Sequence, residues 1–179
     1  DSAGNVSAPG PVFTVTIDTQ APATPAIDAV SDSQLTNGTL YSRDGTPTLS
    51  GTGEPGTIIT VTVDGTASTM TATVQADGTW EWTSPVTLTD APHTFSVAAN
   101  DPAGLSSGSS PTLNVTVDTL DPAAPTGISV AAQGTPMTGS AEAGSTITVT
   151  DADGNVVGTG VATSGGSFSV ALSPAQPNG

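Results

Sequence analysis

Cysteine is absent from the chain, and Lys and Arg together contribute one residue, Arg43, against 16 Asp and Glu. The first absence rules out disulfides, thiolate nucleophiles and Cys-ligated metals. The second rules out a nucleic-acid footprint, because counterion release requires clusters of basic side chains. Anionic membrane surfaces are disfavoured for the same reason. A net charge of −15 makes cations the natural partners. Histidine occurs once, at His93, with no second His or Cys to complete a transition-metal site. No apolar run reaches transmembrane length and no signal peptide is recognisable. No G-x-S-x-G elbow or phosphate-cradling loop occurs in a strand–helix setting. The acids lie in turns, where no apolar cleft would raise one carboxyl for paired-acid catalysis. The chain is therefore not expected to be an enzyme.

Charged residues make up only 9% of the chain, which argues against a disordered polyelectrolyte. Thr and Val, which suit strands, fill short apolar runs punctuated by 21 Gly and 15 Pro. Gly has no three-residue period, so collagen is excluded. The expectation is an all-β chain with many turns.

A repeat organises these runs. "VTIDTQAPATP" (15–25) returns 100 positions later as "VTVDTLDPAAP" (115–125). "LSGTGEPGTIITVT" (49–62) returns at an offset of 88 as "MTGSAEAGSTITVT" (137–150), which places Phe168 opposite Trp80. The shorter offset implies that the later copy lacks a stretch like "SDSQLTNGTLYSRDG" (31–45), whose polar character and Asn-Gly and Asp-Gly pairs read as a loop.

The central copy carries seven strands, A to G, near 26–30, 48–52, 57–63, 69–74, 79–83, 93–99 and 112–118. Turn dipeptides at Asp64-Gly65 and Asp77-Gly78 separate C from D and D from E. Phe95 and Val97 alternate with Thr94 and Ser96, the pattern of a half-buried strand. Seven short antiparallel strands in about 100 residues match an immunoglobulin-like β-sandwich. The expected organisation is a final strand plus linker of one repeat over 1–21, a complete repeat over 22–121, and strands A to E of another over 122–179. A slice of a longer tandem array explains the ragged ends; strand donation by another chain is the less favoured alternative.

"PTLSGTGEPGTIITVTVDG", "VQADGTWEWT", "HTFSVAANDPAG" and "VTVDTLDPAAP" resemble the tandem bacterial Ig-like domains of giant biofilm adhesins, the Bap-type and RTX-type surface proteins exported by type I secretion. The resemblance spans essentially the whole chain. It implies an extracellular stalk or extender at the bacterial cell surface, working in cell adhesion and biofilm formation beside neighbouring repeats of the same chain, with calcium often stiffening the junctions. Ligands would be held by other domains. Two alternatives stand beside it: a carbohydrate- or surface-binding Ig-like module, and an accessory domain of a secreted enzyme.

Strand parity says where calcium could act. With seven antiparallel strands, the B–C, D–E and F–G loops share the pole at which strand A starts. Glu54 lies in the B–C loop, Asp101 in the F–G loop and Asp18 in the entering linker. Asp118, Asp121 and Glu142 repeat the pattern at the next junction. Carboxylates about 5 Å apart repel by roughly 3 kcal/mol at an effective dielectric near 20, and Ca²⁺, which takes six to eight oxygens, would cancel that cost. These six acids are the candidate ligands.

Two other signals are read as structural. "DADGN" (151–155) begins like an EF-hand loop, but its twelfth position is Ala162, so a hairpin turn is expected. Trp80 and Trp82 share a strand face and could form a sugar-stacking platform; core packing is preferred because Phe168 and Val170 occupy their places in the later copy.

Overall fold

The computed structural model describes residues 1–131 and 136–173. It is all-β, with fourteen strands among the described residues, and divides into two compact units, residues 1–119 and 120–179.

In the first unit, β1 (Ala26–Val30), β4 (Thr48–Thr52) and β7 (Thr79–Thr83) form a three-stranded antiparallel sheet in the order β1-β4-β7. The second sheet has the order β2-β3-β9-β8-β5-β6. It contains β2 (Ser33–Thr36), β3 (Thr39–Ser42), β5 (Ile58–Val63), β6 (Thr66–Thr73), β8 (Pro92–Asn100) and β9 (Leu113–Val117). Leu49, Trp80 and Trp82 from one sheet and Ile59, Val61, Phe95, Val97 and Val115 from the other share one buried core, which makes the unit a sandwich. Period-two alternation buries every second residue of β8: His93, Phe95, Val97 and Ala99 are buried, the last three within that core, and Thr94, Ser96 and Ala98 less so.

Gly51 explains why an aromatic residue recurs in strand E. A Cβ there would lie 2.0 Å from the Ala26 carbonyl oxygen and 2.6 Å from Trp80 Cζ2. Trp80 thus lies flat on a backbone without a side chain, and its indole N–H donates to Thr52 O at 3.2 Å. Trp82 is equally buried and donates to Met70 O on the opposite sheet at 3.0 Å. The pair is core, as expected, and offers no face to a sugar.

Residues 31–45 depart from expectation. They form a β-hairpin rather than a loop: β2 and β3 pair antiparallel about an Asn37-Gly38 turn in which both residues have positive φ, and β3 then runs parallel to β9. The turn dipeptide was legible. The strand was not, because β3 is stabilised by pairing with a residue run some 75 positions away (Tyr41 with Thr116) and by Leu40 packing on the core. Residues 1–25 contain no strand, although 13–17 match β9 in sequence. Phe13, Val15 and Ile17 are exposed there; a strand needs hydrogen-bonding neighbours, which β9 finds in β8 and β3.

The second unit has β10 (Thr126–Val130), β11 (Met137–Ser140) and β14 (Ser167–Val170) in one sheet, and β12 (Thr146–Thr150) with β13 (Val156–Val161) in another. Gly139 repeats the glycine–aromatic contact: a Cβ there would lie 2.7 Å from Phe168 Cζ and 2.9 Å from Thr126 O. Residues 151–155 connect β12 and β13 as a turn. The Asp151 Oδ1 accepts from the amides of Asp153 and Asn155, and Gly154 has φ +85°. The bond from the Asn155 side chain is the leading cause that holds the Asp151 carboxyl below the usual carboxylate range.

Candidate functional site

Within the first unit, the acids picked out by parity have distinct local roles. Glu54 stands in the tight turn between β4 and β5, where its carbonyl accepts from Thr57 N (3.2 Å) and Thr57 Oγ1 (2.7 Å). That turn projects the Glu54 side chain onto the entering linker, and its Oε2 accepts from Ala23 N at 3.2 Å. The convergence of the β4–β5 turn and the linker is therefore real at the level of the backbone. The β8–β9 loop approaches the same linker: a Cβ at Gly108 would come within 3.5 Å of Thr24 Oγ1.

Asp101 follows β8 and closes its own loop. Its N–H donates to Leu105 O, its carbonyl accepts from Gly104 N, and its Oδ1 accepts from Leu105 N at 2.9 Å. The Asp151 loop is built in the same way, so half of the Asp101 carboxylate does ordinary turn work. The other half does not: Asp101 Oδ2 is buried and has no hydrogen-bond partner. A buried acceptor without a donor is costly, and more so when it carries charge.

Asp18 is exposed and its Oδ1 accepts from Gln20 N at 3.0 Å, an Asx turn that starts the linker. Asp118 is exposed at the end of β9, with its N–H donating to Ser42 O at 2.9 Å. In the second unit, Asp121 is exposed in the segment before β10, and Glu142 occupies the turn between β11 and β12. The Glu142 carbonyl accepts from Ser145 N (3.1 Å) and Ser145 Oγ (2.7 Å), repeating the Glu54 turn. Among the described residues, no three His, Asp or Glu side chains gather closely enough to hold a metal ion by themselves.

A second cluster lies at the opposite end of the first unit, where parity places the β5–β6 turn and the β7–β8 loop. Asp64 and Gly65 both have positive φ, as a two-residue hairpin turn demands. Asp64 Oδ2 lies 2.7 Å from His93 Nδ1, and His93 Nε2 lies 2.9 Å from Thr89 O. The bond to His93 is the main reason the Asp64 carboxyl is held below its ordinary value, with the Thr94 N–H assisting. Burial pushes the His93 pKa down, but the Asp64 carboxylate and the Thr89 carbonyl together outweigh it and the net shift is upward. A His–Asp pair is two thirds of a nucleophilic triad. Here the outer nitrogen faces a backbone carbonyl instead of a hydroxyl, so there is no nucleophile to activate. Sequence reading set His93 aside as a lone histidine. The available signal was strand parity, which puts the start of β8 and the Asp64-Gly65 turn at one end.

Comparison with known proteins decides the family. The model of a bacterial Ig-like domain matches residues 20–119, and that of a bacterial Ig domain matches residues 121–179. The chain belongs to the bacterial Ig-like domain family. Its boundaries coincide closely with the two compact units. No curated protein matches the chain. Among solved structures, a tetra-tandem repeat from the extending region of a large adhesion protein is 26% identical, with a TM-score of 0.37, covering 85% of this chain and 40% of its own. A 1.5-MDa bacterial ice-binding adhesin, in a study of host cell surface retention, is 22% identical, with a TM-score of 0.38 and coverage of 86% and 55%. The BSP domain of a biofilm-associated protein is 24% identical, with a TM-score of 0.32 and coverage of 84% and 25%. The chain thus spans about half or less of the length of each of these neighbours.

Proposed function

We propose that this bacterial Ig-like chain is an extracellular stalk segment of a large surface adhesin, non-catalytic, with calcium stiffening the junctions between repeats. The observation that carries the stalk reading is tandem recurrence. Two family domains follow one another, and the same Asp-Thr linker motif precedes each. A spacer gains length from such repetition, whereas an enzyme or a single receptor gains nothing. The motif resemblance to biofilm adhesin extenders supplies the bacterial surface, secretion and adhesion parts of the reading.

For calcium, the six candidate acids supply hard oxygen donors, which suit Ca²⁺ and not a soft metal. Asp101 Oδ2 is the best-supported donor, because burial without a partner leaves it a lone pair to satisfy. Glu54 and Asp18 would complete the set at the entry to the first unit; Asp118, Asp121 and Glu142 are their counterparts in the next copy. Calcium, when bound, would neutralise these carboxylates and fix the linker to the loops. Isothermal calorimetry with CaCl₂ tests this: the wild-type chain should bind in the range of about 10⁻⁴ to 10⁻³ M usual for extracellular modules. Asp101→Asn should weaken binding, and an absence of binding heat in the wild type would reject calcium while leaving the stalk reading intact.

One observation favours a second reading, a glycan- or surface-binding module. With both tryptophans buried, the aromatic side chain exposed on the strands of the sandwich is Tyr41, which is 39% exposed and lines an open groove with Gln34, Arg43 and Asp32. Glycan-array binding that disappears in a folded Tyr41→Ala variant would support the module over the spacer.

A further inference from the structure

His93 faces two groups that can only accept. Asp64 Oδ2 lies 2.7 Å from Nδ1 and the Thr89 carbonyl oxygen 2.9 Å from Nε2, while the side chain is 9% exposed. A neutral imidazole carries one N–H, so one contact would oppose two lone pairs; the imidazolium donates to both. The residues next to Thr89 are those that hold the end of the last strand. Asp90 Oδ1 accepts from Thr119 N (3.0 Å) and Thr119 Oγ1 (2.9 Å), and the Ala91 carbonyl accepts from Val117 N (3.0 Å). Three consecutive loop residues therefore join His93 to the exit of the domain.

We propose that protonated His93 is a latch: it fixes the β7–β8 loop so that Asp90 and Ala91 can hold the exit segment 117–119, and loss of its proton loosens that segment. The first bond to fail is defined by the geometry. Asp64 is anchored independently, since its N–H donates to Thr94 O (2.9 Å) and its Oδ1 accepts from Thr94 N (2.8 Å). A neutral His93 keeps its proton on Nδ1 for the Asp64 carboxylate, and the Thr89 carbonyl loses its donor.

The charged groups on the surrounding elements all favour the latched form. Asp64 is on the β5–β6 turn, Asp90 on the β7–β8 loop, Asp118 at the end of β9, and Asp44 on the segment whose Gly45 approaches Thr87 and Thr119. The single basic side chain, Arg43, is paired with Asp32 at 3.3 Å. Because the folded state raises the His93 pKa above the ordinary 6.5, the latch is fully engaged below that value and is lost as pH rises through the higher folded value.

The test uses the ¹⁵N-labelled 179-residue chain in chelator, followed by imidazole ¹⁵N shifts and amide hydrogen exchange, corrected for intrinsic rates, from about pH 5.5 to about pH 9. Both ring nitrogens should be protonated at the low end. As Nε2 loses its proton, protection at Thr119 should fall tenfold or more, on the order of one charge-assisted hydrogen bond, while Val61 in the sheet centre is unchanged. His93→Asn keeps a donor for Asp64 and offers none to Thr89, so its Thr119 protection should be low at every pH. The wild-type titration decides the matter even if that variant is unstable. A neutral ring at the low end, or Thr119 protection that ignores the His93 titration, would overturn the latch.

Discussion

Val61 and Val149 occupy the same place in two copies of one motif, yet Val61 is fully buried and Val149 only partly so. The difference lies in their neighbours, not in their own sequence. β5 is hydrogen-bonded to both β6 and β8, whereas among the described residues β12 pairs with β13 alone. Phe95 and Val97 from β8 complete the cover over Val61. The other sheet tells the opposite story. Gly51 under Trp80 and Gly139 under Phe168 keep the same close contact in both units. The lesson is that the glycine–aromatic lock forms wherever β1, β4 and β7 or β10, β11 and β14 come together, whereas burial at the Val61 position depends on β8, a strand without a counterpart among the described residues of the second unit.

Substitutions can sharpen that contrast, measured as separate unfolding transitions of the two units. Trp80→Ala should destabilise the first unit by about 3–5 kcal/mol, the usual cost of removing a large buried aromatic. Phe168→Ala should act on the second unit in the same direction but less, because the core there is smaller. Gly51→Ala and Gly139→Ala should each cost about 1–3 kcal/mol by overpacking, with Gly51 the worse because the clash there is with backbone at 2.0 Å. Equal tolerance of alanine at both would break the lock. Val61→Ala should cost about 2 kcal/mol and Val149→Ala clearly less; the reverse order would contradict the account of burial.

The pH dependence near neutrality belongs to the first unit alone, because His93 is the one histidine of the chain. Its His93-linked stability should be present below about pH 6.5 and decline above it, and the part linked to Asp64 should be lost as pH falls through the depressed Asp64 value, below 3.8. The second unit should show no inflection near neutrality. The smallest effect is expected for Arg43→Ala, whose exposed pair with Asp32 is worth about 0–1 kcal/mol.

Much of this fold was written in local signals. The strands of the sandwich follow from alternation in β5, β8 and β9 and from Asp-Gly turns, and repetition places Phe168 opposite Trp80; the glycine beneath each ring emerges only from the fold. Parity brought Glu54 to the linker. What it could not reveal is how each carboxylate spends its oxygens: Asp101 Oδ1 closes a local loop, leaving only Oδ2 for another partner. The β2–β3 hairpin was hidden because its stability comes from a parallel pairing with β9, and the role of His93 because both of its acceptors come from loops rather than from a motif.

Small-angle X-ray scattering of the two-domain chain, with saturating calcium and then with chelator, tests the proposed junction most directly. A clamped linker predicts a longer maximum dimension and a narrower distance distribution with calcium, and a shorter, broader one without it. Superimposable curves in the two conditions would contradict the clamp and leave a spacer whose stiffness owes nothing to the ion.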